Sequence, residues 1–206
     1  MGRVLLVRVI SGIARGRKLK TLKGRETRPT GDKVKESLFN IIYPLLSGAL
    51  MLDIFAGTGS IGIEALSRGA EKCVFIEKNR QCVKIIAENL ALCGFSDVGE
   101  IIPSDVLPAL AALGRKKSKF DIIFLDPPYR STLLVPVLAA IAENALVAED
   151  GIVVVEHHAD DNNWWSSVQW HIKRRKKYGD TAITFLTPAK LEGGERNGNC
   201  NLPGKF

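Results

Sequence analysis

Residues 51–62 read MLDIFAGTGSIG. An apolar run carrying one acid, Asp53, leads into Gly57, Gly59 and Gly62, which keep the spacing G-x-G-x-x-G. A strand, a glycine turn and a helix in that order form a place where backbone N–H groups can approach an anion, with the helix N-terminus adding positive potential.

On either side of this stretch the hydrophobic pattern alternates between two periods. Strands are expected at 50–55, 73–76, 101–102, 120–125 and 152–155, and helices at 61–68, 79–93, 106–113 and 133–146. In 79–93 the apolar positions 82, 83, 86, 87, 90 and 93 share one face, and Gly94 stops the helix. The strands are continuous apolar runs, as expected where both faces are covered. Repeated strand–helix units predict an α/β fold with a doubly wound, mostly parallel sheet. Residues 168–175 and 181–186 flank Tyr178, Gly179 and Asp180 and predict a closing antiparallel hairpin, for seven strands in all. Residues 4–10 and 18–22 predict an N-terminal hairpin. A helix follows, capped by Thr30, with Asp32 in its first turn and Val34, Leu38, Ile41 and Ile42 on its apolar face.

The acids beyond the strands decide what the glycine loop holds. Glu77, after the second strand, is placed to accept both hydroxyls of a ribose, which nicotinamide dinucleotides and S-adenosyl-L-methionine share. Asp53 discriminates between them: a buried carboxylate repels a pyrophosphate and attracts an α-ammonium. S-adenosyl-L-methionine has that ammonium, and a carboxylate for the glycine amides. Asp105, after the third strand, is placed to accept from an adenine amine. Singly, Asp53 can also be read as a turn former and Glu77 as a helix cap, and for Asp105 the cap reading weighs about even. One acid at each of three successive strand ends favours the cofactor.

The fourth strand ends in FDIIFLDPPYRS, residues 120–131. Pro127 and Pro128 fix φ and remove two donors, leaving a stiff backbone whose carbonyls can face outward. An exocyclic amine of a nucleobase is a poor nucleophile because its lone pair is delocalised. The Asp126 carboxylate and the Pro127 carbonyl, held rigidly, can accept its two N–H groups and turn the lone pair toward a methyl donor. Tyr129 can stack on the base, a contact worth about 1–3 kcal/mol.

The 206-residue chain carries a net charge of +7 and is 46% hydrophobic, enough for one domain with a full core. Residues 1–40 hold eleven Lys or Arg against three acids, +8, and the other 166 residues balance at −1. A solvated basic arm has this composition, and so does a phosphate-backbone contact surface, the reading favoured here. Residues 115–117 and 173–177 are smaller basic clusters that either extend the patch or solubilise loops. No apolar run approaches the roughly 18 residues of a membrane span. The start, MGRVLLVRVISG, has four apolar residues between arginines, too few for a secretory signal. Cys73, Cys82, Cys93 and Cys200 make no C-x-x-C pair, which points to a reducing compartment without structural zinc.

Five stretches, ISGIARGRKLKT (10–21), RPTGDKVKESLFNII (28–42), LDIFAGTGSIGIEALSRGA (52–70), FDIIFLDPPY (120–129) and YGDTAITFL (178–186), together resemble the RsmD family. These are bacterial class I methyltransferases, Rossmann-like in fold, that modify N2 of a guanine in 16S ribosomal RNA. The resemblance runs from about residue 8 to residue 187. It implies S-adenosyl-L-methionine held by Asp53, Phe55, Ala56, Gly57, Gly59, Glu77, Lys78, Asp105 and Val106. The target amine would meet Asp126, Pro127, Pro128 and Tyr129. RNA would meet Arg15, Arg17, Lys18, Arg28, Lys33 and Lys35, on a segment spanning 1–44 that precedes a catalytic domain at 45–188. The implied partner is the small ribosomal subunit or its precursor, ribosomal proteins included, met by a cytoplasmic monomer. Residues 160–165 and the Gly- and Asn-rich tail, 189–206, match nothing typical of the family, and the tail is expected to be mobile.

Glu156, His157 and His158 suggest a metal only weakly, for want of a third ligand at a convincing spacing, so no metal site is assigned. His171 reads as a sheet residue, Trp164 and Trp165 as packing for the last hairpin, and Cys73 as core. Three rivals share parts of the pattern: an adenine-N6 methyltransferase, a non-catalytic RNA-binding assembly factor on the same fold, and a nicotinamide-dependent oxidoreductase.

Overall fold

The computed structural model describes residues 7–22, 31–128, 132–161, 164 and 170–189. Helix α1 spans Asp32–Ile42, followed by a 3-10 turn at Tyr43–Leu45. Then come β1 (Leu50–Ile54), α2 (Ser60–Ser67), β2 (Lys72–Ile76), α3 (Arg80–Cys93), β3 (Gly99–Ile102), α4 (Val106–Arg115) and β4 (Phe120–Leu125). The chain continues through α5 (Leu134–Glu143), β5 (Val147–His158), β6 (Trp170–Tyr178) and β7 (Thr181–Pro188).

The seven strands form one sheet in the order β3-β2-β1-β4-β5-β7-β6. β1 to β5 run parallel, β7 is antiparallel to β5, and β6 is antiparallel to β7. The order reverses between β1 and β4, and in open α/β sheets ligands bind beyond the carboxyl ends at that point. Asp53 belongs to one of these strands and Asp126 follows the other, so the topology brings the two sequence motifs to one crevice.

Side chains alternate across the sheet into two cores. Met51, Phe124, Val154 and Phe185 pack against α1, α2 and α3 on one face. Leu52, Ile123, Val153 and Leu186 pack against α4 and α5 on the other. Each fully buried Leu, Ile or Phe here contributes about 1.5–3 kcal/mol. Gly62 lets α2 lie against β2: a Cβ there would come 2.3 Å from the Phe75 ring and 2.5 Å from Cys73 Sγ. At the start of α3, Asn79 Oδ1 accepts from Gln81 N and Cys82 N, and Gly94 closes the helix in the left-handed region, as its position in the sequence predicts.

Residues 7–19 turn back on themselves through Val9 N to Arg17 O, Gly16 N to Val9 O and Leu19 N to Val7 O. The expected hairpin is thus present, narrowed to one β-bridge between Arg8 and Lys18. It docks on α2. Ile10 N and Ser11 N donate to the two Glu64 oxygens at 2.8 and 2.9 Å, and Ala14 N donates to Ser67 Oγ. Val7, Val9, Ala14 and Leu19 are buried in the same core as α1, α2 and α3.

Several boundaries differ from expectation. The N-cap of α1 is Gly31, with no side-chain cap; Thr30 lies outside the described residues. α5 ends at Glu143, because Asn144 Nδ2 donates to Ala140 O and Ala145 turns the chain at φ 48°. β5 reaches from 147 to 158, well beyond 152–155, because β4 pairs with its first part and β7 with its second. Residues 1–6, 168 and the tail from 190 lie outside the described residues.

Candidate active site

The glycine loop follows β1. Phe55, Gly57 and Gly59 have φ of 63°, 56° and 77°, so three alternate residues sit in the left-handed region that L side chains resist. For Phe55, a bulky residue, this costs on the order of 1–3 kcal/mol and marks a conformation the surroundings impose. Gly59 N donates to Ala56 O at 2.7 Å, closing the turn at the N-terminus of α2.

Asp53 points from β1 beneath this loop, 2% exposed. Its Oδ2 accepts from Gly62 N at 3.0 Å. Burial pushes its carboxyl up to about 7, Gly62 N–H opposes the rise, and Glu77 adds to it. Such a group favours a donor or cation that restores its ionised form. Glu77, just past β2, ties two loops together: Oε2 accepts from Gly57 N at 2.9 Å and Oε1 from Asn79 N at 2.8 Å. Lys78 Nζ lies 3.1 Å from Asp105 Oδ1, both side chains well exposed. Asp105 holds the N-cap position of α4 but makes no cap hydrogen bond. Val106 begins α4 and packs, with Phe55, on the α4/α5 core. A loop open at Gly57, where a Cβ would meet only Phe55 O at 3.9 Å, and a buried carboxylate below it fit a ligand with an amino-acid end.

Asp126, Pro127 and Pro128 follow β4 directly; Tyr129 lies outside the described residues. The register pairs Leu125 with Val155 and Phe124 with Asp53, so Asp53, Asp126 and Glu156 project from one face of the sheet. Asp126 keeps an open surface at the crevice mouth, yet protein surrounds it elsewhere. Its carboxyl is raised well above the usual range, first by burial, then by Glu156 and Asp53.

The family model described as Conserved hypothetical protein 95 matches residues 7–187. YlbH of Bacillus subtilis is 40% identical over 179 residues, 87% of this chain and 97% of that protein. Ribosomal RNA small subunit methyltransferase D of Escherichia coli K12 is 34% identical over 176 residues, 85% and 87% of the two chains. The solved structure of yhhF from Escherichia coli superposes with a TM-score of 0.77 at 31% identity, covering 88% of this chain and 97% of that one. The chain belongs to the RsmD methyltransferase family.

The RsmD-family fold places most of the expected RNA-facing cations at the surface: Arg15, Arg17, Lys18 and Lys33 are exposed, and Arg28 lies outside the described residues. Lys35 is a correction. It is 2% exposed, with Nζ 3.1 Å from Glu64 Oε2 and 2.7 Å from Arg8 O. Arg68 Nε completes the cluster, 2.8 Å from Glu64 Oε1. Lys35 therefore holds the N-terminal segment on α2 and presents no charge to RNA; burial lowers its pKa, with Glu64 opposing.

His157 is taken by the protein: Nδ1 lies 2.8 Å from His158 O and Nε2 2.8 Å from Thr184 Oγ1. Its ring meets buried Trp164 edge-on at 5.3 Å, so Trp164 packs as expected, while Trp165 lies outside the described residues. No metal-holding cluster occurs among the described residues. His171 lies on β6, and burial raises the Cys73 thiol well above its ordinary value. Glu156, read from the sequence only beside the histidines, is the residue the structure adds to the crevice. Its sequence signal was an acid at the end of a parallel strand next to Asp126. A cavity of ≈ 310 Å³ lies at the opposite, amino-terminal strand ends, among Leu50, Lys72, Leu113 and Phe120. None of Asp53, Asp126 and Glu156 lines it.

Proposed function

We propose that this protein transfers a methyl group to the N2 amine of a guanine in 16S ribosomal RNA, guanine 966, on the small subunit or its precursor. Coarsely it is an RNA methyltransferase, and its cofactor is S-adenosyl-L-methionine. The pair of loops at the β1–β4 reversal, a glycine loop over a buried acid beside the Asp126-Pro127-Pro128 turn, supports methyl transfer to an exocyclic amine, and the likeness to ribosomal RNA small subunit methyltransferase D supports the finer choice of substrate.

The bound cofactor supplies an electrophilic methyl group. The chain's own residues do the rest. Asp53 would draw the ammonium end under the loop, and the Gly57 and Gly59 backbone would lie against the carboxylate end. Glu77 would accept from the ribose, and Asp105 from the adenine. Asp126 and the Pro127 carbonyl would accept the two N–H groups of the target amine and hold its lone pair in line. Developing positive charge on that nitrogen is stabilised by Asp126, and the raised affinity of Asp126 for protons suits it to take up the proton released. Tyr129 would stack on the base. Exposing that base costs a few kcal/mol, least where it is unpaired, so a single-stranded loop is the favoured target. The protein would act in the cytoplasm, where small subunits are assembled.

The test incubates the protein with methyl-labelled cofactor and immature small subunits, then identifies the modified nucleoside. N2-methylguanine is expected. Labelled N6-methyladenine would transfer the reading to the adenine class, and no label at all would favour a binding role.

A further inference from the structure

Residues 173–177 read KRRKK and lie on β6, the edge strand of the sheet. Lysines on an edge often serve only to block pairing with another chain. That purpose has no use for sidedness, and here the cations are sided. Tyr178 pairs with Thr181 across the turn at Gly179 and Asp180, which fixes the register. Arg175 and Lys177 then face the α4/α5 side and are occupied. Arg175 Nη2 donates to Ala159 O at 2.6 Å, and Lys177 Nζ lies 3.6 Å from Asp160 Oδ1. Arg174 and Lys176 face the other side. Both are half-buried, and among the described residues neither side chain makes a hydrogen bond or ion pair.

That other side is the side of the crevice. Lys176 pairs with Ile183, which pairs with Glu156, and Arg174 pairs with Phe185, which pairs with Val154. Cross-strand partners point to one face, so both cations project on the face of Asp126 and Glu156. Two strand spacings, about 10 Å, separate Lys176 from Glu156. The N-terminal hairpin, docked on α2 and α3, lies on the same face across the β1–β4 reversal.

We propose that Arg174 and Lys176 form a second phosphate-contact surface for the RNA strand whose base enters the crevice, opposite the contact made by Arg15, Arg17 and Lys18. This rests on the RNA-methylating reading above. A strand held on both flanks of the crevice is fixed on either side of the extruded base, which a single basic arm does not achieve.

The test measures binding of protein-free 16S ribosomal RNA over a salt series to the full chain and to the double variant Arg174→Gln/Lys176→Gln, with cofactor binding and thermal unfolding in parallel. The double variant should bind RNA about tenfold more weakly near physiological salt, with a salt slope smaller by about 1.4, two contacts at roughly 0.7 each. Its cofactor affinity should not move. Lys177→Gln, on the occupied face, should change RNA binding less than twofold. Unchanged affinity and slope in the double variant, with the wild type still methylating RNA, would overturn the surface. So would unchanged RNA binding accompanied by self-association, which would make these residues edge guards. A wild type that neither binds nor methylates RNA removes both proposals, so the two failures are distinguishable.

Discussion

Two groups of charge lie on the same face of this sheet and are built on opposite terms. In the first, Glu64 receives Lys35, Arg68 and the N–H groups of Ile10 and Ser11, so each oxygen of a fully buried carboxylate has two donors. In the second, Asp53, Asp126 and Glu156 share a face, and the influences on Asp126 are all of one sign: burial, Glu156 and Asp53. The first group is electrostatically closed and holds the N-terminal segment to α2. The second gathers three acids at one crevice, and the raised carboxyls of Asp53 and Asp126 favour a donating or cationic ligand there. Buried acids alone do not mark a site; acids gathered at a crevice with their carboxyls raised do.

The sharpest way to break that contrast is at Asp126. Asp126→Ala should lower kcat about 10³-fold, the scale of losing a positioned acceptor and its stabilisation of developing charge. Cofactor affinity should change little, because Asp126 lies beyond the glycine loop. Single-turnover methylation beside calorimetric cofactor titration checks this, and a variant retaining a tenth of wild-type activity would put the chemistry elsewhere.

Glu64→Leu tests the closed group. It leaves Lys35 and Arg68 without their carboxylate and strands two N–H groups, so unfolding free energy should fall by about 3–5 kcal/mol. Denaturant titration measures the loss, and hydrogen exchange at Ile10 and Ser11 locates it. A loss under 1 kcal/mol would mean that apolar packing of Val7, Val9 and Leu19 suffices to dock the segment.

That closed group is also where the sequence was hardest to read. Lys35 falls among the basic residues of the first 40, and charge counting cannot see a partner 29 positions away. A signal was present: 35, 38, 39 and 42 have the spacing of one helix face, and these are the buried positions of α1. Lys35 interrupts an apolar stripe, as Glu64 interrupts the otherwise mostly apolar α2. The mostly parallel α/β sheet and the two loops are legible because strand–helix alternation and glycine and proline chemistry are local properties. The reach of β5 and the neighbour of Asp126 were not, because pairing between distant strands sets both.

Asp53 sharpens the contrast through pH. Its folded pKa of about 7 exceeds the ordinary 3.8, so the folded state holds the proton more tightly. Stability is therefore greatest below about pH 4 for this group and falls as pH rises toward 7, by about 4 kcal/mol at most. Asp53→Asn should stabilise the cofactor-free protein at pH 8 by about 2–4 kcal/mol. The same change should weaken cofactor binding and flatten its pH dependence. In the wild type, affinity should climb as pH rises through about 7, as the carboxylate ionises to meet an ammonium. Cofactor titrations from pH 5.5 to 8.5 test this, and an affinity flat across that range would remove the ammonium from Asp53.

Asn89 joins the two regions, and its effect should be the smallest. Fully buried on α3, it accepts from Lys20 N at 2.8 Å and donates to Lys20 O at 3.1 Å and Thr58 O at 3.0 Å. Lys20 follows the N-terminal hairpin, and Thr58 lies inside the glycine loop, so one amide fixes both backbones. Asn89→Leu, similar in volume, should cost about 1–3 kcal/mol of stability through three backbone groups left unpaired. What separates positioning from mere packing is where that cost falls. If Asn89 holds the loop, cofactor affinity drops several-fold while Glu64→Leu, which frees the hairpin alone, leaves it nearly unchanged. Equal effects of the two variants on cofactor binding would mean that the hairpin and the loop loosen as one body, and the division drawn between a closed structural group and an open functional one would have to be redrawn around Asn89.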